Sequence, residues 1–574
     1  VLTHLLFFLS SLVFTQYHPQ EWGSITSLLT PTGIQATSDG IVYASTSGGL
    51  LQFDPTAEKF SSIKMEEGLV YLDLSTIEVD SKDRLWLGGS YPNGYLQVYD
   101  PDKGMVRKIT HLDIAQISKI QIGEDIAFAV YEGATSSDIG ILEFTLDSDR
   151  LPIYKDYFNH FSSGAPITDI RDLDIFLDSI FVTTDVGIFA GNYKIDNLKS
   201  ATGWQAFFTG DSAKQYLPEL RMLISNGGLL QKNGNNWVEY LNNLEGAIVQ
   251  ADIDRNGIIN ILTSDKFYEL ENKEIVYSFE IPYSDDDSFK SQFTSFNPHP
   301  NGQHYLGMDT YGILALNTNN NSHELFVPNT SFQNVFHALT VTSDGYLAAV
   351  TQLGLTIVKN GLNYNLLSYP GFKNYPKNHE QSHFINRNLK YKAGFHIPIS
   401  IIEKENGNLF FGNSGLSPYE HNTYFYPGVV ELNLSNYNLT TFDSTDAVID
   451  GFWGIYNDAV TNYMVINQIK EDKIGNIWVT NPFCEKNGNM IAIQSADDDS
   501  WSHVSIPDSS SFRPQTIAFD NSRRAWVGFA YEALESRIYS DGGVKVFDPS
   551  DSSWIAIDNP EKLPGDESQA SVWS

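Results

Sequence analysis

The chain has 574 residues, with 70 acids against 36 bases and a formal net charge of −34. Such a charge excludes a nucleic-acid groove over most of the surface, because phosphate is repelled wherever acids dominate. Apolar residues make up 41% and aromatics 13% of the chain, enough for a large core biased toward sheet. The lone cysteine, Cys484, excludes a disulfide framework and reads as structural filler, since no base lies near it in the sequence.

At the start, Leu5 to Phe14 is an apolar run of signal-peptide length, too short to span a bilayer. Residues 1–16 therefore read as an export signal ending near Gln16, the alternative being a buried first strand. The chain begins at Val1 without a charged leader region, so that signal is expected to be shortened at its start. No later segment approaches ~18 uninterrupted apolar residues, so no transmembrane helix is expected.

A repeat then takes over. Its first copy is ATSDGIVYASTSGGLLQFD, turning at Asp39-Gly40. The second runs from Ile77 to Asp100. There Ile77 and Val79 alternate with polar residues, Asp80 to Arg84 is turn-like, and Leu85-Trp86-Leu87 resumes a strand. Gly88-Gly89 breaks it, and Leu96, Val98 and Tyr99 form a third strand. Later copies close at Phe144, Phe189, Trp237, Leu270 and Leu316, and four more turn at Asp344-Gly345, Asn406-Gly407, Gly475-Asn476 and Ser522-Arg523. A spacing of about 42 to 50 residues is that of a four-stranded propeller blade, which cannot cover its own apolar face but can be covered by stacked neighbours. The fold class is therefore all-β, as tandem β-propellers. Residues 17–330 carry seven copies and make one complete ring; 331–574 carry four and the start of another, in a second ring expected to continue past Ser574. Helix is nearly absent, with Ala213 to Met222 a short helical patch.

Several stretches invite chemistry. ADIDRNGIINIL sets Asp252, Asp254, Asn256 and Gly257 like the first half of a calcium loop, but the twelfth position is Thr263, where a bidentate Glu is needed. The hairpin turn that recurs in other copies is the favoured reading. Acid runs at Asp285–Asp287 and Asp497–Asp499 read as solvated loop tips. Trp86, Trp478 and Trp526 fall at matching strand positions and read as blade core. The histidines lack metal spacing, with His379, His383 and His396 scattered through one insertion, so no metal and no cofactor is expected. No GxSxG elbow or Walker loop occurs, the sialidase Asp-box is missing, and the 70 acids offer only chance carboxylate pairs. The chain is not expected to be an enzyme.

The insertion from Asn363 to His396 is unlike the rest. Lys373, Lys377, Arg387, Lys390 and Lys392 stand there against one acid, Glu380, interleaved with aromatics including Tyr375 and Tyr391. Its bland reading is a long loop folded over a blade. Its sharper reading is a grip on an anionic polymer, with cations meeting phosphate or carboxylate and rings stacking on sugars.

DRLWLGGSYPNGYLQVYD, and its later form KIGNIWVTN, resemble the two-component-regulator propeller repeat. The leader followed by EWGSITSL and GIQATSDGIVYASTSGGLLQFD is similar to the mature start of the PorZ-like family, surface components of type IX secretion in Gram-negative bacteria. That resemblance implies two seven-bladed propellers followed by a sorting domain. It also implies a non-catalytic place on the outer membrane beside a sortase and partner proteins, helping cargo attach to anionic lipopolysaccharide. Within these 574 residues no sorting domain is read and fewer than fourteen blades are counted, both departures being expected if the chain continues past Ser574, and no binding residue transfers. Two other functions stay open: the periplasmic sensor of a hybrid kinase, and a secreted polysaccharide-active enzyme.

Overall fold

The computed structural model describes residues 23–556, apart from 282–290, 368–382, 385–397, 414–427, 443–464, 483–488, 507–512 and a few isolated positions. Among the described residues, eleven antiparallel sheets follow one another, each of four strands in sequence order. The eighth sheet adds His383–Phe384, running parallel to Leu362–Leu367. We number the sheets as blades: 31–63, 74–109, 116–158, 170–209, 213–241, 248–280, 293–326, 336–367, 398–442, 468–503 and 514–556. The tandem β-propeller class read from the sequence is the class observed.

Burial explains which strands the sequence displays. The second strands Val42–Thr46 and Leu85–Gly89 are buried at every position, because neighbouring blades cover both faces. They read as unbroken apolar runs bounded by turns. The outermost strands, such as Lys59–Ile63 and Gly104–Ile109, are only partly buried and carry no such signal, so the repeat showed three strands where the fold has four. The expected helical patch is strand as well. Ala213–Leu217 is the innermost strand of blade 5, and Met222–Ser225 is its neighbour after a turn at Pro218. Only Ala213, Tyr216 and Leu217 of that strand are buried, a spacing a helix shares, and pairing with Met222–Ser225 decides against it.

One turn recurs between first and second strands. Asp80 Oδ1 accepts from the N–H of Lys82 and Arg84 at 2.9 and 3.1 Å, and Oδ2 from Trp86 Nε1 at 3.2 Å. Asp472 and Asp520 repeat this with Trp478 and Trp526 at 3.0 and 3.1 Å. The fourth turn residue is left-handed throughout: Gly40 at φ +87°, Gly257 at +81°, Gly475 at +87°, with Asp83 and Arg523 tolerating +59° and +66°. Glycine suits this position because it adopts positive φ without steric cost.

The chain divides into two compact units, Val1–Thr330 with seven blades and Ser331–Ser574 with four. The first unit is a closed ring. Blade 7 meets blade 1 through Phe53, whose ring lies 6.2 Å from Tyr305 and 4.6 Å from Phe326. The Gly312 N–H donates to the Leu29 carbonyl at 2.8 Å, and the Thr30 hydroxyl to Asp309 at 3.0 Å. Among the described residues no blade lends a strand to another. The second unit is an arc in which blades 8 and 9, 9 and 10, and 10 and 11 share apolar clusters in turn.

Candidate functional site

The seven innermost strands of the first unit surround its axis. Each slips register once, between Pro31 and Gly33 in blade 1 and at the equivalent place in the other six. Such a bulge leaves one residue unpaired and bends the strand. The bulged side chains reach sideways: the Thr32 hydroxyl to the Leu74 carbonyl at 3.0 Å, Ser75 to Ile117, and Arg171 to the Ala213 carbonyl at 2.8 Å. The residue after the bulge does likewise in two blades. The Gln215 amide accepts from the Ala251 N–H at 2.7 Å and donates to its carbonyl at 2.9 Å, and Gln250 treats Phe296 the same way at 3.1 Å each. A side-chain amide there stands in for a strand partner.

Inside lies a cavity of about 640 Å³. Its charged lining is Glu78, Asp172, Asp174, Glu219 and Asp252 against Lys119, which pairs with Asp172. A hydrogen-bonded arc crosses three blades: Asn297 donates to Gln35 at 3.1 Å, and Gln35 to Glu78 at 3.1 Å. Desolvation, reinforced by the Asp252 charge, pushes the Glu78 carboxyl up to about 8. Desolvation with Asp172 and Glu219 pushes Asp174 up to about 8. Asp252 rises to about 6 by desolvation, with Glu219 and Asp172 adding to it. Glu78 keeps part of its surface open to the channel, and poor hydration there is the main reason its proton is held. At neutral pH the site stores protons and offers amides, hydroxyls and neutral carboxyls. It repels polyanions at any pH above that.

The sequence reading named none of these carboxyls as a group. The signal is there in several blades: the innermost strand places a channel-lining residue directly after a buried one in Ile34-Gln35, Ile77-Glu78, Leu173-Asp174 and Ala251-Asp252. Of the calcium-loop candidates, Asp254 is the turn residue, accepting from the N–H of Asn256 and of Ile258 at 2.8 Å each, while Asp252 lies in the strand and lines the channel. The two are spent on different tasks, and the turn reading holds. Among the described residues no group of three His, Cys, Asp or Glu is placed to hold a metal. Asp497–Asp499 form a surface turn in which Asp498 accepts from Ser500 and Asp499 from Lys404 at 2.9 Å. Lys373, Lys377, Arg387, Lys390, Lys392, Tyr375 and Tyr391 lie outside the described residues, as do the leader, Asp285–Asp287, His379, His396 and Cys484. No helix among the described residues is long and apolar enough to cross a membrane.

Fold and channel thus define a tandem β-propeller protein with an acid-lined axis in its closed ring. No protein-family model and no curated protein matches the chain. Among solved structures it is similar to PorZ, an essential bacterial surface component of the type IX secretion system of Porphyromonas gingivalis. The TM-score is 0.67 at 13% identity, covering 93% of this chain and 68% of that one. It also matches the extracellular domain of a putative one-component system of B. thetaiotaomicron, at TM-score 0.37 and 14% identity, over 95% of this chain and 74% of that one. The extracellular domain of a putative hybrid two-component system from the same organism gives 0.36 and 14%, over 93% and 72%. The first likeness is one of fold.

Proposed function

We propose that this chain is an exported, non-catalytic scaffold of the type IX secretion attachment machinery, which holds anionic polysaccharide and partner proteins, a sortase among them, on propeller loops. The observation that supports this is the fold likeness to a surface component of that system across 93% of the chain. Electrostatics restricts where an anionic polymer can sit. A net charge of −34 repels it over most of the surface, so the grip falls to the basic-aromatic insertion. Lys373, Lys377, Arg387, Lys390 and Lys392 supply the cations, and Tyr375 and Tyr391 the stacking faces.

Two experiments test this. Deleting the gene in the native host should release secretion cargo into the medium, and cargo that stays attached would remove the machinery assignment. Changing the five basic residues to Ser should weaken retention of purified lipopolysaccharide by about tenfold or more at low salt, since each lost cation also removes counterion release. Retention equal to that of the unchanged protein would take the insertion out of the argument.

A further inference from the structure

The cavity on the axis of the closed ring gathers more negative charge than the chain itself answers. Of the charged groups lining it, Lys119 and Asp172 pair with each other between blades 3 and 4. Glu78, Asp174, Glu219 and Asp252 remain, from blades 2, 4, 5 and 6, and no cation of the chain pairs with them among the described residues. Asp174 and Asp252 each use Oδ1 to accept from the next backbone N–H, at 2.8 and 2.7 Å, while Oδ2 takes no donor among the described residues. These acids share one field. Desolvation raises Glu78, Asp174 and Asp252 first; after it, Asp252 acts on Glu78, and Asp172 and Glu219 act on both Asp174 and Asp252.

Blade 7 adds a second kind of acceptor. Thr294 and Ser295 lie on the cavity wall. Neither hydroxyl has a hydrogen-bond partner, although both oxygens are shut off from water and Ser295 is 4% exposed. A charge or a polar group withdrawn from water costs stability unless a partner answers it. Here carboxyls without a counter-ion and hydroxyls without a donor surround one space, so the complement to this wall is positive and rich in N–H. A single metal ion does not meet the geometry, because among the described residues no group of three His, Cys, Asp or Glu is placed to hold one. The charge has to be spread over a molecule, and about 640 Å³ lies within the roughly 300–1,000 Å³ of small-molecule sites. A neutral polyol would meet the hydroxyls but leave the acids without counter-charge.

We propose that the axial channel of the first ring binds a small organic polycation, an oligoamine whose ammonium groups lie against Glu78, Asp174, Glu219 and Asp252. An ammonium beside a protonated carboxyl favours its ionised form, so protons leave as the oligoamine enters.

Calorimetric titration of spermidine into the full chain tests this, at about 0.15 M salt to screen the outer surface. One saturable site per chain is expected, about tenfold or more tighter at pH 8 than at pH 6, with protons released on binding. Sorbitol should not compete. The absence of a saturable site, affinity that stays level across that pH range, or displacement by sorbitol would each overturn the proposal. Glu78→Gln combined with Asp252→Asn should weaken binding by about tenfold or more, whereas Asp497→Asn combined with Asp498→Asn, on the surface turn, should leave it unchanged. Equal losses from the two pairs would mean that spermidine only collects on an acidic surface, and would also overturn it. Should the channel pair fail to fold, Asp174→Asn decides alone: it must weaken binding by about threefold or more, and unchanged affinity counts against the site.

Discussion

Asp80 accepts hydrogen bonds from Lys82, Arg84 and Trp86, and both its side chain and that of Arg84 are buried, at 1% and 6% exposure. Burial draws its carboxyl upward, but the Arg84 guanidinium and the turn N–H groups outweigh that and hold it below the usual carboxylate range. A depressed acid stabilises the fold above its unfolded value and loses that contribution as pH falls through the folded one. Asp80→Ala leaves the buried Arg84 charge without its counter-ion, holding only the Asp149 and Arg150 carbonyls, and the Trp86 indole N–H without its acceptor, and is expected to cost about 3–5 kcal/mol in urea unfolding. Asp520→Ala should cost much less, because Trp526 is already 38% exposed. A smaller loss at Asp80 than at Asp520 would contradict this account. Of the three tryptophans expected in blade core, Trp86 and Trp478 lie there at 0% and 2% exposed, whereas Trp526 is 38% exposed and does not. Their polar partner was written just as plainly, six residues earlier each time, but a charged residue in a turn looks the same whether it faces solvent or caps an indole.

Within a blade, position on the innermost strand decides what a substitution costs. Ile34, Ile77, Ile120 and Leu173 occupy one register position at 1 to 5% exposure, and Ile401, Ile469 and Ile517 hold it in the second unit at 1 to 6%. Leu339 of blade 8 occupies the same position at 62%. Ile77→Asp is therefore expected to cost more than about 4 kcal/mol, and Leu339→Asp to fall within about 0.5 kcal/mol, in denaturant titrations of the two variants. Equal effects would mean that the register equivalence carries no energetic content. The turn, second strand and glycine break of most blades could be read from the sequence because both faces of those strands are covered. The outer strand and the polar inner strand could not, since Lys59–Ile63 and Ala213–Leu217 owe their conformation to the neighbour they pair with rather than to their own pattern.

Only ring closure brings Glu78, Asp174 and Asp252 together from three separate repeats, which is why no local stretch of sequence announces the channel. Between the ordinary value near 4.5 and about 8, the folded chain holds the Glu78 proton that the unfolded chain has released. The folded state then binds more protons, so stability is greatest below that window and declines as pH rises through it. Melting of the first unit should fall by a few degrees from pH 5 to pH 9. Glu78→Gln should flatten the decline by raising the pH 9 value alone, and a wild-type profile that stays level would refute the assignment. The basic insertion poses the opposite problem: its charges are conspicuous in the sequence, but its residues lie outside those the structure describes.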